Sequence, residues 1–179
     1  MSTDPSIDQI IAAVRGLEGS LVVAPAVGDP AFPELAWGDA FFYYAPDGVL
    51  PTTVQPYGTV VTKNYPEDTS SNLDPAGRWR VNIHVDRATF RELTAGGDAS
   101  SAVGGTVDPA ATDVVLPHPV YGAAGWIAVV NPGPGTGGLV LRLLRDAHAA
   151  ARVRYARRSH RQQPADAGSA GRREPPATG

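Results

Sequence analysis

The chain of 179 residues contains no cysteine, which excludes disulfides, thiolate nucleophiles and zinc–thiolate sites. No uninterrupted apolar run approaches the ~18 residues that a membrane span needs. The first residues, MSTDPSIDQIIAAVRGLEG, are polar and amphipathic. They lack the basic start and continuous apolar stretch of a signal peptide, so we expect a cytoplasmic protein without membrane contact. No lysine follows the glycine pattern near the C-terminus, and no G-x-S-x-G elbow is present. The first absence argues against a phosphate loop of the G-x-x-x-x-G-K type, the second against a serine hydrolase.

What is present is a hydrophobic content of 42% together with 20 glycines and 17 prolines. That predicts a packed core with short elements and many turns. Charge is unevenly placed. Residues 1–150 carry 8 Lys/Arg against 16 Asp/Glu, whereas residues 151–179 carry 7 Arg against 2 acids. An acidic body repels phosphate backbones, so only RVRYARRSHR (152–161) favours nucleic acid.

Hydrophobic periodicity predicts a helix over 4–17, with Ile7, Ile10, Ile11, Val14 and Leu17 in one stripe and Asp4-Pro5 at its start. Strands are expected at SLVVAP, at Asp39–Ala45 before the Asp47-Gly48 turn, and at 57–65. The clearest is RWRVNIHV (78–85): Trp79, Val81, Ile83 and Val85 share one face, and Arg78, Arg80, Asn82 and His84 the other. Asp86 reads as the N-cap of a short helix, RATFRELT, with Phe90 and Leu93 inward and Gly96-Gly97 ending it. Residues 95–112 read as a loop, followed by DVVLPHPVYG and GWIAVVNPG as short strands. A last helix is expected from Thr136 to Arg158. Strands grouped in this way imply an α+β fold: a mostly antiparallel sheet of about five to six strands, flanked by an N-terminal, a short middle and a long C-terminal helix. We expect one globular domain over 1–158 and a disordered tail over 159–179.

NPGPGTGGLVLRLL (131–144) contains G-x-G-x-x-G at Gly133, Gly135 and Gly138. A dinucleotide fold would follow the helix after these glycines with a parallel strand and an acidic residue ~20 positions on. Here that helix leads into arginines and the tail. The expectation is a connector that ends a strand and lets Thr136 cap the last helix.

WGDAFFYY, TVVTKNYP, SNLDPAGRWRVNIHVDRATFREL and LPHPVYGAAGWIAVVNPGP together resemble the bacterial domain-of-unknown-function family 6194, over roughly residues 5–153. Asn72-Leu73-Asp74, Arg80-Val81-Asn82-Ile83 and Pro117-His118-Pro119 with Tyr121 and Trp126 carry most of the resemblance. The element order is more distantly similar to the MmcQ/YjbR-like fold, an α+β group. Neither resemblance implies an activity.

Among residues able to carry chemistry, His148 and His160 lack an evident partner in sequence. His84 shares the polar strand face with Arg80 and Asn82, and His118 is held between two prolines. The leading reading is a non-enzymatic binding domain using Arg80, Asn82, His84 and His118, with Lys63, Tyr65, Asn72, Asp74 and Tyr121 at its rim. Its partner would be a small molecule or a protein. The alternative is an enzyme with His118 or His84 paired to Asp39 as general acid and base. Metal binding would need Asp39 or Asp86 as a third ligand beside two histidines; no metal and no cofactor are expected. A lesser alternative is weak nucleic-acid binding through the basic C-terminal segment. Phe41, Phe42, Tyr43, Tyr44, Trp79 and Trp126 read as core and cross-strand packing.

Overall fold

In a computed structural model, which describes residues 4–95 and 107–162, the chain is an α+β protein. Helix α1 (Ile7–Arg15) leads into β1 (Ser20–Val23), β2 (Ala40–Tyr44), β3 (Gly58–Val61) and β4 (Arg80–His84). Helix α2 (Arg87–Ala95) follows, then β5 (Leu116–Pro117), β6 (Trp126–Val130) and the long α3 (Gly137–Gln162). The six strands form one sheet in the order β1-β2-β3-β4-β6-β5, and every pairing is antiparallel. Strands β1 to β4 are a meander. The two-residue β5, which contains Pro117, closes one edge, as short proline-bearing strands often do.

Period-2 alternation decides which face is covered. Val81 and Ile83 on β4, Phe42 on β2, Val60 on β3 and Ile127 and Val129 on β6 point to one side. There they pack against Ile10 and Val14 of α1 and Val140, Leu143, Leu144 and Ala147 of α3. Each such side chain contributes about 1.5–3 kcal/mol when removed from water. Trp79, Phe90 and Leu93 pack on the same cluster. Gly58 is required where β3 passes under α3, because a Cβ there would stand 2.9 Å from Leu144 Cδ2 and 3.2 Å from Phe42 Cδ2.

Several boundaries differ from those expected. The N-cap of α1 is Ser6, not Asp4. Its hydroxyl accepts the Gln9 amide while the Gln9 side chain accepts the Ser6 amide, a reciprocal capping box that outweighs a lone Asp-Pro signal. The expected cap of α2 is present: Asp86 Oδ1 accepts the amides of Ala88 and Thr89. Helix α3 runs through Ser159–Gln162, four residues where a tail was expected, because nothing in that stretch breaks a helix. The rest of the tail (163–179) and Gly96-Gly97 lie outside the described residues.

Candidate functional site

The sheet face turned away from α1 and α3 carries Phe41, Thr59 and Asn82 in one cross-strand row and Val61 and Arg80 in the next. Alternating Arg, Asn and His on a strand suggests a solvated face, yet Arg80 and Asn82 are buried. The cover consists of two segments, Tyr65–Asp68 and His118–Tyr121. With Gln55, Pro56 and Trp126 they border a half-open cavity of ≈ 520 Å³ over the strands.

Arg80 organises the floor. Its Nη1 donates to Asp68 Oδ1 at 3.0 Å and to Ser71 Oγ at 2.8 Å, while Nη2 donates to Asp68 Oδ2. This two-point pairing is the geometry a planar guanidinium favours with a carboxylate. His118 Nε2 stands 3.0 Å from Arg80 Nη2 and 3.6 Å from Asp68 Oδ2. On its other side, Nδ1 accepts the amides of Val120 and Tyr121, both at 3.1 Å. Two amide donors on Nδ1 place the ring proton on Nε2. The contact with Arg80 is then between two donors turned toward the same carboxylate. Burial first, and then Arg80, push His118 down to about 4, against the opposing pull of Asp68. Burial works against the charge on Asp68, but the hydrogen bonds and charge of Arg80 together with His118 outweigh it and hold the carboxyl below its ordinary range. At neutral pH the cluster is a neutral histidine resting on a closed ion pair.

Two polar atoms of this floor are buried without a partner: Arg80 Nε and Asn82 Oδ1. Asn82 Nδ2 donates to Thr59 Oγ1 at 3.0 Å. Turning the amide over would only exchange which end lacks a partner. The walls are Phe41, Tyr65, Pro66, Val120, Tyr121 and Trp126, with Glu67 at the rim. Phe41 and Trp126 therefore line a cavity rather than pack in the core, whereas Phe42, Tyr44 and Trp79 belong to or pack on the core.

Of the residues singled out in sequence, Tyr65, Arg80, Asn82, His118 and Tyr121 meet at this cavity. His84 lies in a neighbouring one beside Trp126, with ring centroids 5.6 Å apart. Asp39 pairs with neither histidine. Its buried carboxylate accepts from Thr62 N and Oγ1, from Lys63 Nζ and from Tyr65 Oη. The carboxylate beside His118 is Asp68, since antiparallel pairing carries Asp39 to the β3 end and the 65–68 segment over Arg80. Lys63 Nζ also reaches the carbonyls of Leu35 and Trp37, so its charge serves this connector. Burial, and then the hydrogen bond and charge of Asp39, push the Tyr65 phenol up, and it stays a donor. Asn72 and Asp74 brace the loop before β4. The Asn72 carbonyl accepts Arg78 Nε, and Asp74 accepts the backbone and side-chain amides of Asn64. His148 does have a partner, the Glu18 carbonyl at 3.0 Å from Nε2.

Asp68, Ser71, Gln55 and Glu67 escaped sequence reasoning. They sit in irregular polar stretches without periodicity, and the one available signal was an acid left over in PEDTSSNLDPAG ahead of a strand bearing an inward arginine. Among the described residues no group of three or more His, Asp or Glu is placed to hold a metal. No helix among them is long and apolar enough to cross a membrane.

The glycine pattern has its own occupant. Asp113 Oδ1 accepts the amides of Gly133 and Thr136 and the Thr136 hydroxyl, and Oδ2 accepts the amide of Gly135. A Cβ at Gly133 or Gly135 would stand 2.9 or 3.0 Å from that carboxylate. The loop at the start of α3 thus binds an anion, as such loops do, but the anion is the protein's own side chain. The expected cap, Thr136, shares this role as a donor to Asp113.

Fold and site together define an α+β protein whose antiparallel sheet packs helices on one face and carries a half-open, aromatic-walled cavity under two loops on the other. A family profile matches residues 4–160, and the chain belongs to that family, the family of unknown function DUF6194. Neither a curated protein nor a solved structure matches the chain. The MmcQ/YjbR-like layout accordingly gains no support.

Proposed function

We propose that this protein binds a small, neutral, largely apolar molecule in the cavity over β3 and β4, without transforming it. The observation that carries this reading is the cavity itself, walled largely by apolar and aromatic side chains, with Asn82 among its lining. Buried polar atoms are nearly always hydrogen-bonded, and the Asn82 amide, which leaves one polar atom without a partner, needs only a small turn of the side chain to meet a polar group on a flat ligand. The cavity lies within the usual size range for small-molecule sites, about 300–1,000 Å³. Arg80 and Asp68 neutralise each other, and the remaining charge is that of Glu67, which disfavours an anion here. Acid–base catalysis is the weaker alternative. His118 has Nδ1 engaged by two amides and Nε2 held against Arg80 and Asp68, and Asp39 is spent on Thr62, Lys63 and Tyr65. For nucleic acid, nothing beyond the arginines of α3 speaks in favour.

A thermal-shift screen of neutral aromatic amides and alcohols tests the proposal. Compounds present at about 100 times their Kd should stabilise the wild type by about 2.7 kcal/mol. The shift should disappear in Asn82→Leu and persist in Arg145→Gln. A panel without hits, or hits indifferent to Asn82→Leu, would overturn it.

A further inference from the structure

The second cavity, ≈ 440 Å³, is built differently. Its lining includes His84 of β4, Tyr43 and Tyr44 of β2, Tyr57, and Arg154 and Arg158 of α3. Arg154 and Arg158 are four residues apart in α3, hence one above the other on a single helix face. Ala151, one turn earlier, lines the same cavity and packs on the core, so this face looks into the cavity. No acidic side chain lines the cavity. Neither arginine forms an ion pair among the described residues, although residues 1–150 hold twice as many acids as bases.

We propose that Arg154, Arg158 and His84 form a subsite for the phosphate group of a small phosphate monoester. Two fixed guanidinium charges match the roughly −1.5 to −2 charge of a phosphate monoester at neutral pH. Guanidinium groups suit its oxygens geometrically, and His84, once protonated, carries a further N–H beside them. A carboxylate, with one charge and two oxygens, would leave part of this set unmet. A nucleic-acid strand brings a row of phosphates against an acidic body, whereas a single phosphate needs only the cavity. The arrangement also accounts for the proton affinities. Burial first, then Arg154, lower His84, and burial with Arg158 lowers Arg154. Without an anion His84 is thus held neutral beside the two guanidinium groups, and a bound anion would favour its protonation. The subsite adjoins the first cavity through Gln55, Pro56 and Trp126 but does not depend on what that cavity holds.

The test is an NMR titration of the full chain with inorganic phosphate at constant ionic strength, following the His84 imidazole. Binding should be saturable and should raise the pH at which His84 protonates. It should weaken about tenfold in Arg154→Gln and in Arg158→Gln, the loss of one charged contact, and stay unchanged in Arg145→Gln, which lies elsewhere on α3. Amide spectra establish that each variant is folded. Acetate should bind at least about threefold more weakly than phosphate. Absence of a saturable His84 response, equal weakening in Arg145→Gln, or acetate binding as well as phosphate would each overturn the proposal.

Discussion

At the scale of the residue, the decisive group is Arg80. It is 2% exposed and shares its charge with one carboxylate, Asp68, that comes from a loop. Removing one member of a buried ion pair strands the other, typically at about 3–5 kcal/mol. Replacing both members with apolar residues of similar volume is much less damaging. Asp68→Ala should therefore lower the unfolding free energy by about 3–5 kcal/mol in urea titrations, and Asp68→Leu combined with Arg80→Met by clearly less. If the double variant proves at least as unstable as the single, the Arg80–Asp68 pair is not what holds the loop over the sheet. The inward-facing period of β4 was legible in RWRVNIHV, but the identity of the counter-charge was not. Alternation says that Arg80 and Asn82 share a face; it says nothing about which distant loop covers that face.

At the scale of the element, the start of α3 shows how a motif and its meaning separate. Gly133 and Gly135 are small because the Asp113 carboxylate occupies the space beside them. Asp113 adopts a positive φ of 56°, a conformation asparagine also tolerates. Asp113→Ala removes the acceptor of three amides and one hydroxyl and should cost about 1–2 kcal/mol, the range of lost helix caps. Asp113→Asn should recover part of that. Chemical denaturation of both variants checks this, and an unchanged Asp113→Ala would mean that water replaces the carboxylate at no cost. Failure of the dinucleotide reading was already visible in the absence of a following strand. That an aspartate 20 residues before Gly133 fills the loop was invisible, because it depends on β6 bringing Asp113 alongside: the Asp113 amide donates to the Val130 carbonyl at 2.8 Å.

For the whole molecule, the histidines make stability depend on pH from one side. Folding depresses His118 from an ordinary 6.5 to about 4, so the unfolded chain takes up its proton first as pH falls. The stabilisation is complete above about pH 6.5 and is lost between there and about pH 4, up to roughly 3 kcal/mol. His84 and His148, lowered chiefly by burial, act in the same direction. Asp68 and Asp113, held below the ordinary carboxylate range, extend the loss to still lower pH. Urea midpoints should thus fall steadily from about pH 7 to about pH 4.5. Equal midpoints at the two values, or an NMR midpoint near 6.5 for His118, would contradict its neutral, buried state.

The order and class of the helices and strands followed from the sequence alone, because periodicity, caps and turn residues act over a few neighbouring positions. So did the division of β4 into an apolar and a polar face. The partners of the polar side chains were decided by tertiary structure: Asp68 rather than Asp39 beside His118, Asp113 in the glycine loop, Glu18 on His148. Each joins segments 12 or more positions apart, and electrostatic and hydrogen-bond energies depend on distances that only strand register and helix docking set. The cavities belong to the same category, since a roof exists only once two loops have been folded back over the sheet.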